Sequence, residues 1–314
     1  MAMPGVNDGL IEIKEQGIMT KKNSTDTIQV RKAIIDTSKI PFTTEEGRTH
    51  PYWIDILENF DVEDIQYYAG LMDGDGNFGY AREGNIRMQI SLTEEAAEPI
   101  IELAEKLDCT LSRVEYSKEY KIKNPCRANT KPWYYLSIPK QKAWFFLLLI
   151  YPYLLEKKER AKNMLADRFT DFLECQLRLQ HQRRFSFPYL AGYADAEGHY
   201  KYKYNKGIKR FTFAFKIYST DIGHIDYVGL QMAKLGFPIS YSKITKHRLA
   251  TKPAKGIILT GLENLRKLYR KLLPFGKIKR KKRAMTMTGF YMDHLSPKYA
   301  KKPMTRKPFT TLEK

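Results

Sequence analysis

The chain has little of what metal clusters and disulfide frameworks are built from. Three cysteines, Cys109, Cys126 and Cys175, are spread over 314 residues with no CxxC pair. That spacing excludes a zinc knuckle or a disulfide scaffold and predicts free thiols in a reducing compartment, cytoplasm or organelle interior, without saying which. The six histidines are scattered, without metal-ligand spacing. Long apolar runs are missing too. The longest, Ala143 to Leu155, is too short to span a membrane and is interrupted by Pro152. Met1 to Leu10 is polar with no hydrophobic block behind it, so no signal peptide is expected and the chain reads as soluble. Acids are scarce in the second half. Residues 183–314 carry 30 Lys and Arg against 7 Asp and Glu, whereas residues 1–182 carry 24 against 28. The net charge of +19 therefore resides in the second half. A polyanion is the partner such a surface suits, and nucleic acid is the commonest one.

Hydrophobic residues make up 43% of the chain, enough for a real core, and the length allows two medium domains or one duplicated domain. One short stretch carries chemistry: Leu71-Met72-Asp73-Gly74-Asp75-Gly76-Asn77-Phe78-Gly79-Tyr80. Alternating acids among glycines suggest a calcium loop. An EF-hand loop needs glycine at its sixth position and glutamate at its twelfth. Counting from Asp73, those places hold Phe78 and Gly84, which excludes it. The preceding residues give a better reading. Asp61 is an N-cap with acids behind it, Ile65 to Met72 is an apolar helical run, and Gly76 stops it. Asp75 then lies at a helix C-terminus, where the backbone dipole disfavours a carboxylate unless a cation is close.

The pattern returns. Phe187-Pro188-Tyr189-Leu190-Ala191-Gly192-Tyr193-Ala194-Asp195-Ala196-Glu197-Gly198 repeats the order of small pairs, acid, small residue, acid and glycine, with Ser186 and Pro188 marking the helix start. After each copy comes an alternating strand pattern. His199 to Asn205 sets Tyr200, Tyr202 and Tyr204 on one face and His199, Lys201, Lys203 and Asn205 on the other, and Arg210 to Ile217, with Lys216, continues it past a turn at Gly207. In the first half Ile86, Met88 and Ile90 alternate with Asn85, Arg87 and Gln89, side chains suited to reading base edges. Amphipathic helices are expected over Ala97–Leu107 and Ile225–Leu235, and strands over Leu111–Tyr116, Trp133–Ile138, Ile239–Ile244 and Gly256–Thr260. Each half closes on a helical stretch around a proline.

Tyr68 to Gly76 (YAGLMDGDG) and Leu190 to Gly198 (LAGYADAEG) resemble the paired motifs of single-chain LAGLIDADG homing endonucleases, over roughly residues 55 to 295. The resemblance implies an α+β fold of two pseudo-symmetric αββαββα halves. The halves form a β-saddle over DNA, with the motif helices packed at their interface. The expected divisions are an N-terminal extension (1–54), a first half (55–167), a linker (168–185), a second half (186–295) and a basic tail (296–314). Gly70 and Gly74, like Gly192 and Ala196, are spaced i, i+4, which lets two helices approach closely. Asp75 and Glu197 then meet beneath the saddle. Two carboxylates at two helix C-termini repel, and hard divalent cations resolve the conflict.

The implied activity is Mg²⁺-dependent hydrolysis of phosphodiester bonds in double-stranded DNA at a long, near-asymmetric site. Mn²⁺ is expected as a substitute, and Ca²⁺ to support binding without cleavage. Asp75 and Glu197 would be the direct metal ligands, one per strand, with backbone carbonyls at Gly74 and Ala196 completing coordination as the family implies. Asp73 and Asp195 read as helix-end and packing residues. The resemblance also implies a pocket lysine in each half. Pro152 and Pro274 lie equally far past the motif acids, which puts forward Lys157 and Lys279. Asn85, Arg87, Gln89, His199, Lys201, Lys203, Asn205, Arg210 and Lys216 are the expected DNA contacts. By alignment with the family, Leu92 and Ser219 fall where some members keep a polar pocket residue, and Leu92 cannot polarise water. With two motifs in one chain, a monomer with no membrane partner is expected; an intron-encoded origin fits, and intein-derived and freestanding origins stay open. The alternatives share the fold: a maturase acting on intron RNA, or a DNA-binding protein that does not cut.

Overall fold

The computed structural model of the protein describes residues 27–30, 33–36, 51–81, 85–117, 122–123, 130–168, 185–205, 210–245 and 252–294. The turn at Gly207, residues 169–184 of the expected linker and the expected basic tail lie outside the described residues. Strands β1 (Thr27–Val30) and β2 (Ala33–Asp36) pair antiparallel, and helix α1 (Pro51–Glu58) follows. Ile56 and Leu57 of α1 are buried in the main core. Helix α1 thus spans the boundary expected at residues 54/55.

The first half then runs α2 (Val62–Gly74), β3 (Gly76–Tyr80), β4 (Ile86–Thr93), α3 (Glu98–Lys106), β5 (Leu111–Val114), β6 (Trp133–Ile138) and α4 (Lys140–Ile150). A 3₁₀ turn at Tyr151–Tyr153 carries Pro152, and α5 (Lys158–Arg168) follows. The second half repeats this order: α6 (Phe187–Glu197), β7 (Gly198–Asn205), β8 (Arg210–Ser219), α7 (Ile222–Lys234), β9 (Ile239–Tyr241), β10 (Lys255–Leu259) and α8 (Leu262–Leu272), then α9 (Lys279–His294). Each half is α+β with one antiparallel four-stranded sheet, ordered β3-β4-β6-β5 and β7-β8-β10-β9.

The sheets form because period-two patterning gives each strand one apolar face. In β4 Ile86, Met88, Ile90 and Leu92 are buried, while Arg87, Ser91 and Thr93 are exposed. Leu92 thus belongs to the hydrophobic core and not to the wall of a reactive pocket. Phe215 and Ile217 of β8, with Ile257 and Leu259 of β10, build the matching layer under α7 and α8. Helix α8 buries Leu265, Leu268, Tyr269 and Leu272 and leaves Lys267, Arg270 and Lys271 in solvent. In α4 every residue from Ala143 to Ile150 is buried, which accounts for the longest apolar run in the chain. No helix among the described residues is long and apolar enough to cross a membrane.

The motif helices start as their caps dictate. The Asp61 carboxylate accepts the Asp64 amide at 2.7 Å, and the Ser186 hydroxyl accepts the Tyr189 amide at 3.2 Å. The two helices pack directly on each other. A Cβ on Gly70 would collide with the carbonyl oxygen of Tyr189, and one on Gly192 with that of Tyr67. A Cβ on Gly74 would overlap that of Ala196. Glycine is required at the crossing because backbone touches backbone there.

Candidate active site at the ends of the motif helices

Packing α2 on α6 brings the helix C-termini together. Asp75 caps α2, and Glu197 is the last residue of α6. Glu197 Cγ lies 3.4 Å from where a Gly74 Cβ would stand. Neither helix has a basic residue in its last turn, so each dipole is met from outside the helix. Burial pushes the Asp75 carboxyl above the usual aspartate range, against the pull of Lys281 and Lys157. Glu197 is also pushed up by burial and then by the charge of Asp75, with the same two lysines opposing. The Glu197 carboxyl therefore senses the charge of Asp75.

The lysines close the two helix ends. Lys157 Nζ donates to the carbonyl oxygens of Met72, Asp73, Gly74 and Gly76 at 2.7, 2.6, 3.1 and 2.7 Å. In the second half the same place is taken by Lys281, whose Nζ donates to the carbonyls of Ala194 at 2.8 Å, of Asp195, and of Ala196 at 3.4 Å. Lys279, the residue the proline spacing puts forward, is an exposed first residue of α9. The difference has a simple cause. Lys157 directly follows the two residues whose amides bind Asp73 Oδ2, whereas Lys281 stands in the first turn of α9, two residues past its start. There it shares the inward face with Ile278, Met285 and Thr288, all buried. Burial lowers both ammonium groups, Lys281 to about 8, while the neighbouring carboxylates hold them up.

Asp73 and Asp195 point away from the paired acids. Asp73 is fully buried and accepts the amides of Leu155 (2.7 Å), Glu156 (3.1 Å) and Lys157 (2.9 Å). Asp195 accepts those of Lys277 (2.7 Å) and Ile278 (3.2 Å). Each also accepts a tyrosine hydroxyl from the opposite half: Tyr189 to Asp73 at 2.8 Å and Tyr67 to Asp195 at 2.7 Å. Residue types alone gave no sign of these tyrosines, although both stand six residues before a motif aspartate.

Two polar clusters flank the motif helices. On one side Lys277 Nζ donates to Asp64 at 2.7 Å, to the Tyr68 hydroxyl at 3.3 Å and to Glu102, and lies over the Tyr68 ring at 4.6 Å. On the other the Tyr193 hydroxyl donates to Glu156 Oε2 at 2.8 Å, with His224 Nε2 3.9 Å from that oxygen. Burial raises the Glu156 carboxyl to about 7 and lowers His224. Glu156 and Lys158, on either side of Lys157, thus face away from the paired acids: Lys158 Nζ lies 4.8 Å from the Tyr151 ring centroid.

The strand-face candidates divide by register. Arg87 is exposed and Gln89 half-buried on the polar face of β4, with Asn77 paired to Gln89. Asn85 is half-buried just before β4. His199 and Lys201 are exposed, and Lys216 pairs with His199 across β7 and β8. Lys203 pairs with Thr212 and Asn205 with Arg210 in the strand ladder, and their side chains lie outside the described residues. Ser219, the other alignment candidate for the pocket, is buried and accepts the Asp221 amide at 2.9 Å through Oγ. Cys109 is a free thiol, and Cys126 and Cys175 lie outside the described residues.

Among the described residues no group of three or more His, Cys, Asp or Glu could hold a metal ion unaided. The donor set at the helix ends is two carboxylates with adjoining carbonyls. That fits a hard cation which keeps waters and takes phosphate oxygens, and does not fit zinc.

Two αββαββα halves joined through paired motif helices are the architecture that the resemblance of the two motifs implies. No family model and no curated protein matches the chain. Among solved structures, the LAGLIDADG homing endonuclease I-SmaMI bound to cleaved DNA is similar at 14% identity over 77% of this chain and 97% of that one, with a TM-score of 0.45. The LAGLIDADG meganuclease I-AabMI bound to uncleaved DNA is similar at 10% identity over 79% of this chain and 96% of that one, TM-score 0.47. I-SmaMI has also been solved on uncleaved DNA with calcium ions, at 13% identity over 75% of this chain and 94% of that one, TM-score 0.44. At these values the chemistry rests on the chain's own residues.

Proposed function

We propose that this chain is a site-specific endonuclease that cuts both strands of double-stranded DNA with a divalent cation, Mg²⁺ in its working form. The observation that carries the reading is the meeting of Asp75 and Glu197 at two adjoining helix ends, each end also closed by a lysine, Lys157 half-buried and Lys281 buried. A binding module has no use for that arrangement, because it raises two acids and lowers two lysines at one point.

Asp75 and Glu197 would hold the cation, with the Gly74 and Ala196 carbonyls beside them. When bound, it supplies Lewis-acid charge neutralisation and water activation at a phosphodiester. Lys157 and Lys281 place positive charge next to the acids and stabilise negative charge that develops on the phosphate and on the leaving 3′ oxygen. Burial lowers the Lys281 ammonium to about 8, against the hold of the neighbouring carboxylates. The strand faces bind the duplex. Arg87 and Gln89, with Asn85 beside them, suit base edges. His199, Lys201 and Lys216, with Lys203, Asn205 and Arg210 in the same ribbon, suit the phosphate backbone. With both motifs in one chain, the working unit is a monomer.

The test is a selection from a randomised duplex library, sequencing molecules retained with Ca²⁺ and molecules cut with Mg²⁺. One long site both retained and cut is the expected result. Asp75→Asn and Glu197→Gln should then abolish double-strand cleavage and leave Ca²⁺-supported binding in place. Binding without cutting by the unmodified chain, or cutting of both strands by both variants, overturns the proposal.

A further inference from the structure

We infer that each candidate catalytic lysine is positioned by a tyrosine of the opposite half: Lys157 by Tyr189, and Lys281 by Tyr67. This rests on the nuclease reading for its catalytic consequence, but the coupling itself is a matter of contacts.

The two relays have the same plan. Tyr189, on α6, donates its hydroxyl to Asp73 Oδ2 of α2. The same oxygen accepts the Leu155 and Glu156 amides, and Asp73 Oδ1 accepts the Lys157 amide at 2.9 Å. The backbone that carries Lys157 is thus fastened to a carboxylate whose remaining partner comes from the other half. Tyr67, on α2, donates to Asp195 Oδ2, which accepts the amides of Lys277 and Ile278. The Ile278 carbonyl in turn accepts the Lys281 amide at 3.0 Å and the Lys282 amide at 2.9 Å, fixing the first turn of α9 that presents Lys281.

Burial makes these contacts directive. Tyr67, Tyr189 and Asp73 are at most 2% exposed, so water cannot replace a lost partner. A hydrogen bond from a buried hydroxyl to a carboxylate restrains the carboxylate strongly, and the carboxylate restrains its amides. The relays differ in one respect. Both oxygens of Asp73 are used, whereas Asp195 Oδ1 is buried with no partner among the described residues. Tyr67 is therefore the only side chain among the described residues that donates a hydrogen bond to Asp195, and the second-half relay is the more sensitive of the two.

The strand-specific consequence separates this from a general role in packing. Losing one hydroxyl disturbs one lysine, and one lysine serves one strand. The experiment uses full-length Tyr189→Phe and Tyr67→Phe on a library-selected duplex labelled differently on its two strands. Each variant should slow one strand by about tenfold or more, because small misplacements of a catalytic group are costly. The two variants should slow different strands, with Ca²⁺-supported affinity held within about twofold of the unmodified chain, well inside the 1.4 kcal/mol of a tenfold change. Equal slowing of both strands, slowing of the same strand by both variants, or no slowing overturns the inference.

Amide hydrogen exchange supplies a readout independent of cutting. Tyr189→Phe should lose protection at Leu155 to Lys157 and keep it at Lys277 and Ile278, and Tyr67→Phe should do the reverse. If the unmodified chain cuts no duplex, the nuclease reading fails and the exchange result alone decides the coupling. Protection that is unchanged in both variants, or lost at both places together, overturns it.

Discussion

Replacing Glu156 with glutamine should stabilise the protein, and the gain should depend on pH. Glu156 accepts the Tyr193 hydroxyl and faces His224, whose imidazole burial pushes below its usual range. Lys157, whose charge opposes the rise, turns its ammonium to the end of α2. The carboxyl rises from 4.5 to about 7, mainly through burial of a side chain only 18% exposed. Raised folded-state acidity means the folded chain binds the proton more tightly than the unfolded chain. The cost of Glu156 is therefore absent below pH 4.5, grows as pH rises through the interval up to about 7, and is complete above it. Fully developed, it is about 3 kcal/mol. Glutamine has nearly the same shape, keeps an acceptor for Tyr193 and carries no charge to bury. In urea titrations followed by circular dichroism, Glu156→Gln should match the unmodified chain at pH 4.5 and exceed it by about 2–3 kcal/mol at pH 8. A difference that does not change with pH, or a variant that is weaker at pH 8, refutes the reasoning. The same substitution removes a charge that holds the Lys157 ammonium up, so the pH profile of cutting should move as well.

Lys281→Met should abolish cutting of one strand while Lys279→Met cuts both at the unmodified rate, because of the two only Lys281 reaches the end of α6; single-turnover cleavage of a selected duplex labelled on each strand decides this. Gly192→Ala places a methyl group against the Tyr67 carbonyl and should cost about 1–3 kcal/mol, measured by denaturant unfolding. A Gly223→Ala control, whose added methyl meets only the Asp221 side chain at 3.5 Å, should lack that clash. Lys201→Ala should weaken binding on all sequences alike and reduce the salt slope by about 1, whereas Arg87→Ala should relax preference at one base position. Binding isotherms on matched and mismatched duplexes at several salt concentrations separate the two.

The duplication, the helix caps and the strand order were legible in the sequence because each is a local pattern. Asp61 and Ser186 cap the helices they were expected to cap, and the alternation in Ile86 to Ile90 predicted which face of β4 is buried. The crossing point was legible as well, since Gly70 and Gly192 stand where only glycine fits. The second-half lysine was not. Counting from a proline assumes that both halves spend the same number of residues reaching the helix end, and the turn into α9 differs from the turn into α5. The tyrosines and Glu156 were hidden for a related reason. Their partners lie 37 to 128 residues away in the other half, and no spacing along one element records such a contact. Leu92 reads as a departure from a family pattern only until its place in the core is seen.

The bare crossing of α2 and α6 has a consequence for how the chain is made. Gly70 and Gly192 are 122 residues apart, so α2 leaves the ribosome long before its partner exists. At bacterial-to-eukaryotic elongation rates of about 5–20 residues per second, the interval is on the order of 6–25 s. Until α6 arrives, Tyr67, Gly70 and Gly74 of α2 lack the helix that covers them. The nascent first half is thus a binding surface in search of one particular helix. Anything that delays the second half, or offers another small-residue helix first, competes for that place at synthesis.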